Sequence, residues 1–282
     1  MKQTLTLGFS PCPNDTFIFD ALVHERISTE GLHFNPRLAD VEELNRLAFR
    51  GELDVTKLSY HAFAHVADTY VMLATGSALG RNCGPLLIGR DPDLMKKKNP
   101  ETWRVAIPGK YTTAHFLFSM AYPQVKDKVE VLFSDIEGAV LKGEVDAGVI
   151  IHENRFTYAD KGLHAYTDLG QFWEKETGKP IPLGGIAARR SLGADVLMRI
   201  ERLIGESVQY AFDHPEASRE YVRCHAQEMD EKVQAQHIAL YVNDYSRDLG
   251  TEGKLAVETM FDVGKRVLSF PPCDQLFISS MP

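Results

Sequence analysis

Apolar residues along the chain recur with two periods, and the order of these periods repeats. "LTLGFS" (5–10) reads as a mostly apolar strand, and "TFIFDALVHERI" from Thr16 has helical spacing. "LHFNPRL" (32–38) reads as a second strand. "DVEELNRLAFRG" reads as a helix capped by Asp40, with Glu43 three residues on and Gly51 at its end. "ELDVTKLSY" then climbs into a third strand. The same order returns as a strand "WRVAIPG" (103–109), a helix from "KYTTAHFLFSMA", and a strand "VEVLFS" (129–134). It continues with a helix "SDIEGAVLKG", capped by Ser134 with Glu137 three residues later, and a strand "EVDAGVIIHE". "GELDV" at 51–55 is echoed by "GEVDA" at 143–147, and "TFIF" at 16–19 by "TAHF" at 113–116. Two βαβαβ units are predicted, each a small parallel sheet with right-handed crossovers.

Between the units, "YVMLATGSALGRNCGPLLIGR" (70–90) holds two strand-like runs around a Gly-rich centre. "PIPLGGIAARRSL" (180–192) reads as a returning strand, and Gly193 to Arg266 is helical in pattern. The expected architecture is α/β and two-lobed, with mainly parallel sheets flanked by helices and a cleft between the lobes. This is the plan of type 2 periplasmic-binding-protein-like folds. Residues 1–88 plus 188–282 would form the larger, discontinuous lobe and 89–187 the second. The hinge would lie in crossing strands near 86–90 and 184–190.

Composition narrows the function. The 282 residues are 44% hydrophobic with a net charge of −8, which disfavours a nucleic-acid-coating or anionic-membrane surface. No stretch approaches 18 apolar residues, so no membrane span is expected. The N-terminus lacks the apolar core of a signal peptide. The four cysteines are scattered without a C-x-x-C, which fits a reduced cytoplasm.

Ligands of open parallel sheets bind beyond the carboxyl ends of the strands. Under the repeat, His152 overlays Tyr60, so "KLSY" and "HE" face one another across the cleft. The loops "SPCPND", with Ser10, Asn14 and Asp15, and "GKYTT" line the same cleft. His152 reads either as a general base at a strand end or as a structural histidine bonded to backbone. Glu153 and Arg155 read as a surface ion pair. Thr112 and Thr113 open a helix and read as an anion site or as a plain cap. Lys57 reads as a partner for a ligand carboxylate or as a solvated lysine, and Ser59 as a donor or the start of a turn. Arg81 reads as a loop arginine or as a ligand contact.

His61 and His65 have metal-ligand spacing without a third partner, so no metal is expected. "GKYT" fails the phosphate-loop pattern because position 104 is Arg, and no G-x-G-x-x-G follows a strand. Tyr241 and Met260 read as core.

The stretches "GFSPCPNDTFIF", "TKLSY", "GSALGRNCGPL", "PGKYTTAHFL" and "IIHENRFTY", in this order, resemble the 1,4-dihydroxy-6-naphthoate synthases of the futalosine route to menaquinone. The resemblance runs to "YVNDYS" (241–246) and fades after about Lys265. It implies a cytoplasmic carbon–carbon lyase without metal or organic cofactor, acting on a small anionic substrate, cyclic dehypoxanthinyl futalosine. That substrate is a benzoate fused to a sugar-derived ring, and the implied products are 1,4-dihydroxy-6-naphthoate and dihydroxyacetone. The family's proton acceptor matches His152. Its substrate contacts match Lys57, Leu58, Ser59, Thr112 and Thr113. Two alternatives share the fold: a small-molecule binding protein without chemistry, and the sister enzyme chorismate dehydratase.

Overall fold

The expected repeat appears as two sheets with the same inner order. The computed structural model describes residues 3–227, 230–273 and 275–278. In the first unit, β1 (Gln3–Phe9), α1 (Pro13–Val23), β2 (Leu32–Leu38), α2 (Val41–Phe49) and β3 (Val55–Ser59) give three parallel strands ordered β2-β1-β3. A helical turn α3 (Tyr60–Phe63) follows, then β4 (Tyr70–Met72), β5 (Ala78–Gly80), β6 (Leu86–Gly89) and α4 (Leu94–Lys97).

The second unit runs β7 (Arg104–Ile107), α5 (Thr113–Ala121), β8 (Asp127–Glu130), α6 (Ile136–Lys142) and β9 (Ala147–Ile150), with parallel order β8-β7-β9. It ends with α7 (Asn154–Thr157), β10 (His164–Asp168) and α8 (Leu169–Thr177). The long β11 (Ile181–Arg189) leads into α9 (Ala194–Asp213), α10 (Arg219–His225), α11 (Glu231–Tyr241), α12 (Asp244–Arg247) and α13 (Gly250–Val267).

Both sheets are completed by antiparallel strands. β11 runs antiparallel to β3, β4 and β5, and β6 antiparallel to β9 and β10. The sheets are therefore mixed, with each parallel unit as one half. The chain leaves the first sheet after β5 and enters the second with β6, then re-enters the first with β11. The expected boundaries at 88/89 and 187/188 fall inside β6 and β11.

Local chemistry explains most element ends. Asp40 caps α2 by accepting from the Glu42 and Glu43 amides, and Gly51 follows with φ of 63°. The cap expected at Ser134 does not form. Residues 133–135 make a 3-10 turn, so α6 starts at Ile136 with Asp135 before it, and Ser134 only bonds Asp135. Glu137 is buried and bonds Asn154 and Lys161 instead. β8 accordingly starts two residues and ends four residues earlier than "VEVLFS" suggests. α9 buries Leu197, Ile200, Leu203, Ile204, Val208 and Ala211, an i, i+3, i+4 stripe laid on α1 and the first sheet. Another buried cluster joins Leu58 of β3 and Tyr60 and Phe63 of α3 to Val105 of β7, Phe116 of α5 and Trp173 of α8. Among the described residues no helix is long and apolar enough to cross a membrane.

Candidate functional site

A cavity of about 100 Å³ opens where the C-terminal ends of β3 and β9 meet the N-termini of α1 and α5. That is many times the space one water occupies. Its wall includes Ser10 from the β1–α1 turn, Asn14 and Asp15 from the first turn of α1, Lys57, Leu58 and Ser59 from β3, the cap Thr112 and first residue Thr113 of α5, and His152 after β9. Of the expected ligand contacts, Arg81 is absent from this wall. It pairs with Glu174 and Glu252 and reaches Gly178 O. It thereby ties the loop between β5 and β6 to α8 and α13.

Lys57 is 7% exposed and its charge is spent internally. Nζ lies 2.8 Å from Asp15 Oδ1 and donates to Gly76 O. Asp15 also accepts from the Ser10 amide and hydroxyl and from Asn14 Nδ2. Lys57 is thus not solvated, and two of its three donors are used inside the protein. Ser59 accepts from Asn45 Nδ2 at Oγ, while Asn45 Oδ1 takes its amide hydrogen, so its hydroxyl hydrogen is available.

Both threonine hydroxyls have work inside the protein. Thr112 Oγ1 caps α5 by accepting from the His115 amide and donates to Gly109 O. Thr113 Oγ1 donates to Leu183 O at 2.6 Å. What they offer a ligand is oxygen lone pairs and the first-turn amides of Thr113 and Ala114, which have no intrahelical acceptor. Gly184 completes the floor, where a Cβ would come 2.9 Å from Leu58 O.

His152 is partly exposed at the cavity wall, with φ of 56°, a left-handed conformation that costs a non-glycine residue energy. The twist follows the end of β9, and the imidazole lies between Phe133 at 4.9 Å and His237 at 6.1 Å, ring to ring. Loss of solvation pulls its pKa below the ordinary 6.5, although Glu153, Asp15 and Asp40 oppose this. At neutral pH the ring is therefore neutral, as a base must be.

Glu153 is 4% exposed, and neither of its carboxylate oxygens has a partner among the described residues. It is no surface residue. Arg155 pairs instead with Asp168 and with the Asn82 carbonyl. Cys12 Sγ, a His152 nitrogen and a Glu153 oxygen all lie within 4.8 Å of one another. That bound is looser than the roughly 3.5 Å edge of a tetrahedral zinc shell. Burial, then Glu153, holds the Cys12 thiol well above its ordinary pKa and so protonated.

The cavity also contains residues that sequence reasoning missed. His237 and Tyr241, one helical turn apart on α11, close one side, together with Cys83. Tyr241 is buried as expected of core, yet it also forms wall. His61 and His65 lie outside it. His61 Nδ1 donates to Thr112 O, and its ring stacks on Phe270.

Fold and cavity together define a two-lobed α/β chain of the periplasmic-binding-protein-like class, with its site between the sheets. The alkanesulfonate-binding protein SsuA of Xanthomonas axonopodis, solved with MOPS bound, superposes with a TM-score of 0.70 at 12% identity, covering 97% of this chain and 96% of that one. A crystal structure of a protein from Archaeoglobus fulgidus superposes with a TM-score of 0.87 at 33% identity, covering 93% of this chain and 97% of that one.

A family model described as menaquinone biosynthesis matches residues 5–266. The 1,4-dihydroxy-6-naphthoate synthase of Thermus thermophilus is 48% identical over 98% of this chain and all of its own length. The chain belongs to this menaquinone-biosynthesis family.

Proposed function

We propose that this protein is a carbon–carbon lyase that converts cyclic dehypoxanthinyl futalosine to 1,4-dihydroxy-6-naphthoate and dihydroxyacetone, with His152 as general base. The observation that carries the reading is a neutral imidazole in the wall of the inter-sheet cavity, on a strained backbone. A binding protein would have no use for a base held neutral in that position. The name of the Thermus thermophilus relative supports the product.

In this reading the first-turn amides of α5, the Thr112 and Thr113 oxygens and the Ser59 hydroxyl hold the ligand. Lys57, Asp15, Asn14 and Ser10 form a rigid polar floor beneath it, and Leu58 packs against it. His152 takes a substrate proton. Glu153, within 4.8 Å, then stabilises the imidazolium, which relieves its own unpartnered burial. Ring opening and a retro-aldol-type cleavage expel the three-carbon fragment, and aromatisation drives the step.

The lobes would divide at the two crossings the sheets define, residues 81–85 and the stretch just before β11. Contacts across the cleft would hold the closed form: Arg46 to Glu130 at 2.7 Å, the Tyr111 amide to Glu42, and Thr113 to Leu183 O. Closure excludes water from the reacting bond.

The test is mass spectrometry of products after incubating the purified protein with cyclic dehypoxanthinyl futalosine. Dihydroxynaphthoate and dihydroxyacetone in equal amounts are expected. Retention of unchanged ligand would instead make the protein a binder.

A further inference from the structure

His237 is fully buried on α11, and its ring forms part of the cavity wall. Its Nε2 lies 2.8 Å from Asn14 Oδ1. The Asn14 amide is itself oriented, because its Nδ2 donates to Asp15 Oδ1 at 2.8 Å and a carboxylate can only accept there. Asp15 is anchored in turn by Lys57 and Ser10. A fixed chain therefore runs from Lys57 through Asp15 and Asn14 to His237, and it requires the hydrogen of His237 to sit on Nε2.

Nδ1 is left with a bare lone pair, buried and without a partner among the described residues. Burial, and then the His152 ring, hold the histidine neutral far below its ordinary pKa. At neutral pH the ring is uncharged, and with its hydrogen on Nε2 it does not donate from Nδ1. An unpaired buried acceptor is costly, and a ligand that donates to it removes the cost.

We propose that His237 Nδ1 receives a hydroxyl of the bound ligand, and so selects a ligand with an O–H at that point over an analogue lacking one. The inference deepens the lyase reading, in which the substrate's sugar-derived ring supplies the hydroxyl, and rests on it only for the kinetic test. His237 binds and positions, while His152 takes the proton.

Two substitutions separate this role from a structural one. His237→Gln sets an amide near the Nε2 position, so it keeps a donor for Asn14 and removes the acceptor at Nδ1. His237→Asn sets an amide oxygen near the Nδ1 position and gives up the contact with Asn14. The expected result is a fall in kcat/KM of roughly 10- to 100-fold, mainly through KM, for His237→Gln, with a smaller loss for His237→Asn. A purely structural histidine predicts the reverse order, and wild-type kinetics in His237→Gln overturn the proposal.

Nitrogen-15 NMR of the wild-type ring is a second arm, independent of variant folding and of turnover. A neutral ring with hydrogen on Nε2 and a bare Nδ1 supports the inference. A hydrogen on Nδ1 overturns it. If wild type yields no product, the lyase reading fails, and the ring signals still decide the acceptor.

Discussion

Lys57 Nζ lies 2.8 Å from Asp15 Oδ1, and both residues are buried beneath the cavity. The pair joins β3 to the start of α1, so the floor of the site is also a joint of the first sheet. Removing one member leaves the other charge buried and unpaired. Lys57→Met should lower unfolding free energy by roughly 3–5 kcal/mol. The double variant Lys57→Met, Asp15→Asn should recover much of that loss in urea denaturation. A single variant as stable as wild type would show the pair to be idle.

As the proposed base, His152 should set the acid limb of activity. Its pKa is held below 6.5 by burial, so the neutral base persists as pH falls through 6.5 and is lost only below it. The kcat/KM profile should stay flat from pH 7 to about 6.5 and drop at lower pH. A half-maximum at or above pH 6.5 would remove His152 from the role.

Four buried or half-buried histidines give stability the same direction. Burial pushes His61 down to about 3 and His115 to about 4, and it lowers His152 and His237. Between these values and the ordinary 6.5, the unfolded chain binds more protons than the folded one. Stability is therefore complete above 6.5 and drains as pH falls, by up to roughly 1.4 kcal/mol per pH unit for each histidine. Glu42, raised by burial, works in the opposite sense. The urea midpoint should fall between pH 7 and pH 5. His61→Asn keeps a donor near Thr112 O and should flatten that slope, and an unchanged slope would discharge His61 from the effect.

Gly184 lies on β11 against Leu58 O, where an added Cβ meets backbone at 2.9 Å. Gly184→Ala must push β11 away from β3, at a cost of roughly 1–3 kcal/mol, and it narrows the cavity floor. Lower thermal stability together with a raised KM is expected. Unchanged values of both would show that the sheet yields there freely.

Local signals carried much of this fold. "LHFNPRL" is β2 residue for residue, and Asp40 caps α2, because period and cap chemistry lie within a few positions. Ser134 satisfied the same cap pattern and did not cap, because Phe133 is buried in a 3-10 turn and Glu137 is drawn to Asn154 and Lys161. Arg81 sits in a Gly-rich stretch suited to a ligand loop, but acids from α8 and α13, far along the chain, claim it. Nor could sequence place Lys57's partner, since Asp15 is 42 positions away. His237 was invisible for the same reason: only the return of α11 against α1 brings it to Asn14, 223 positions away. The spacing of His237 and Tyr241 on one helix face was its one trace.

The most direct measurement is turnover of cyclic dehypoxanthinyl futalosine by wild type and His152→Ala side by side, with ligand affinity recorded for both. A positioned base contributes about 10²- to 10⁴-fold. His152→Ala should form dihydroxynaphthoate slower by that factor while binding the ligand nearly as well. Equal rates in the two proteins would contradict the assignment of His152 as the base.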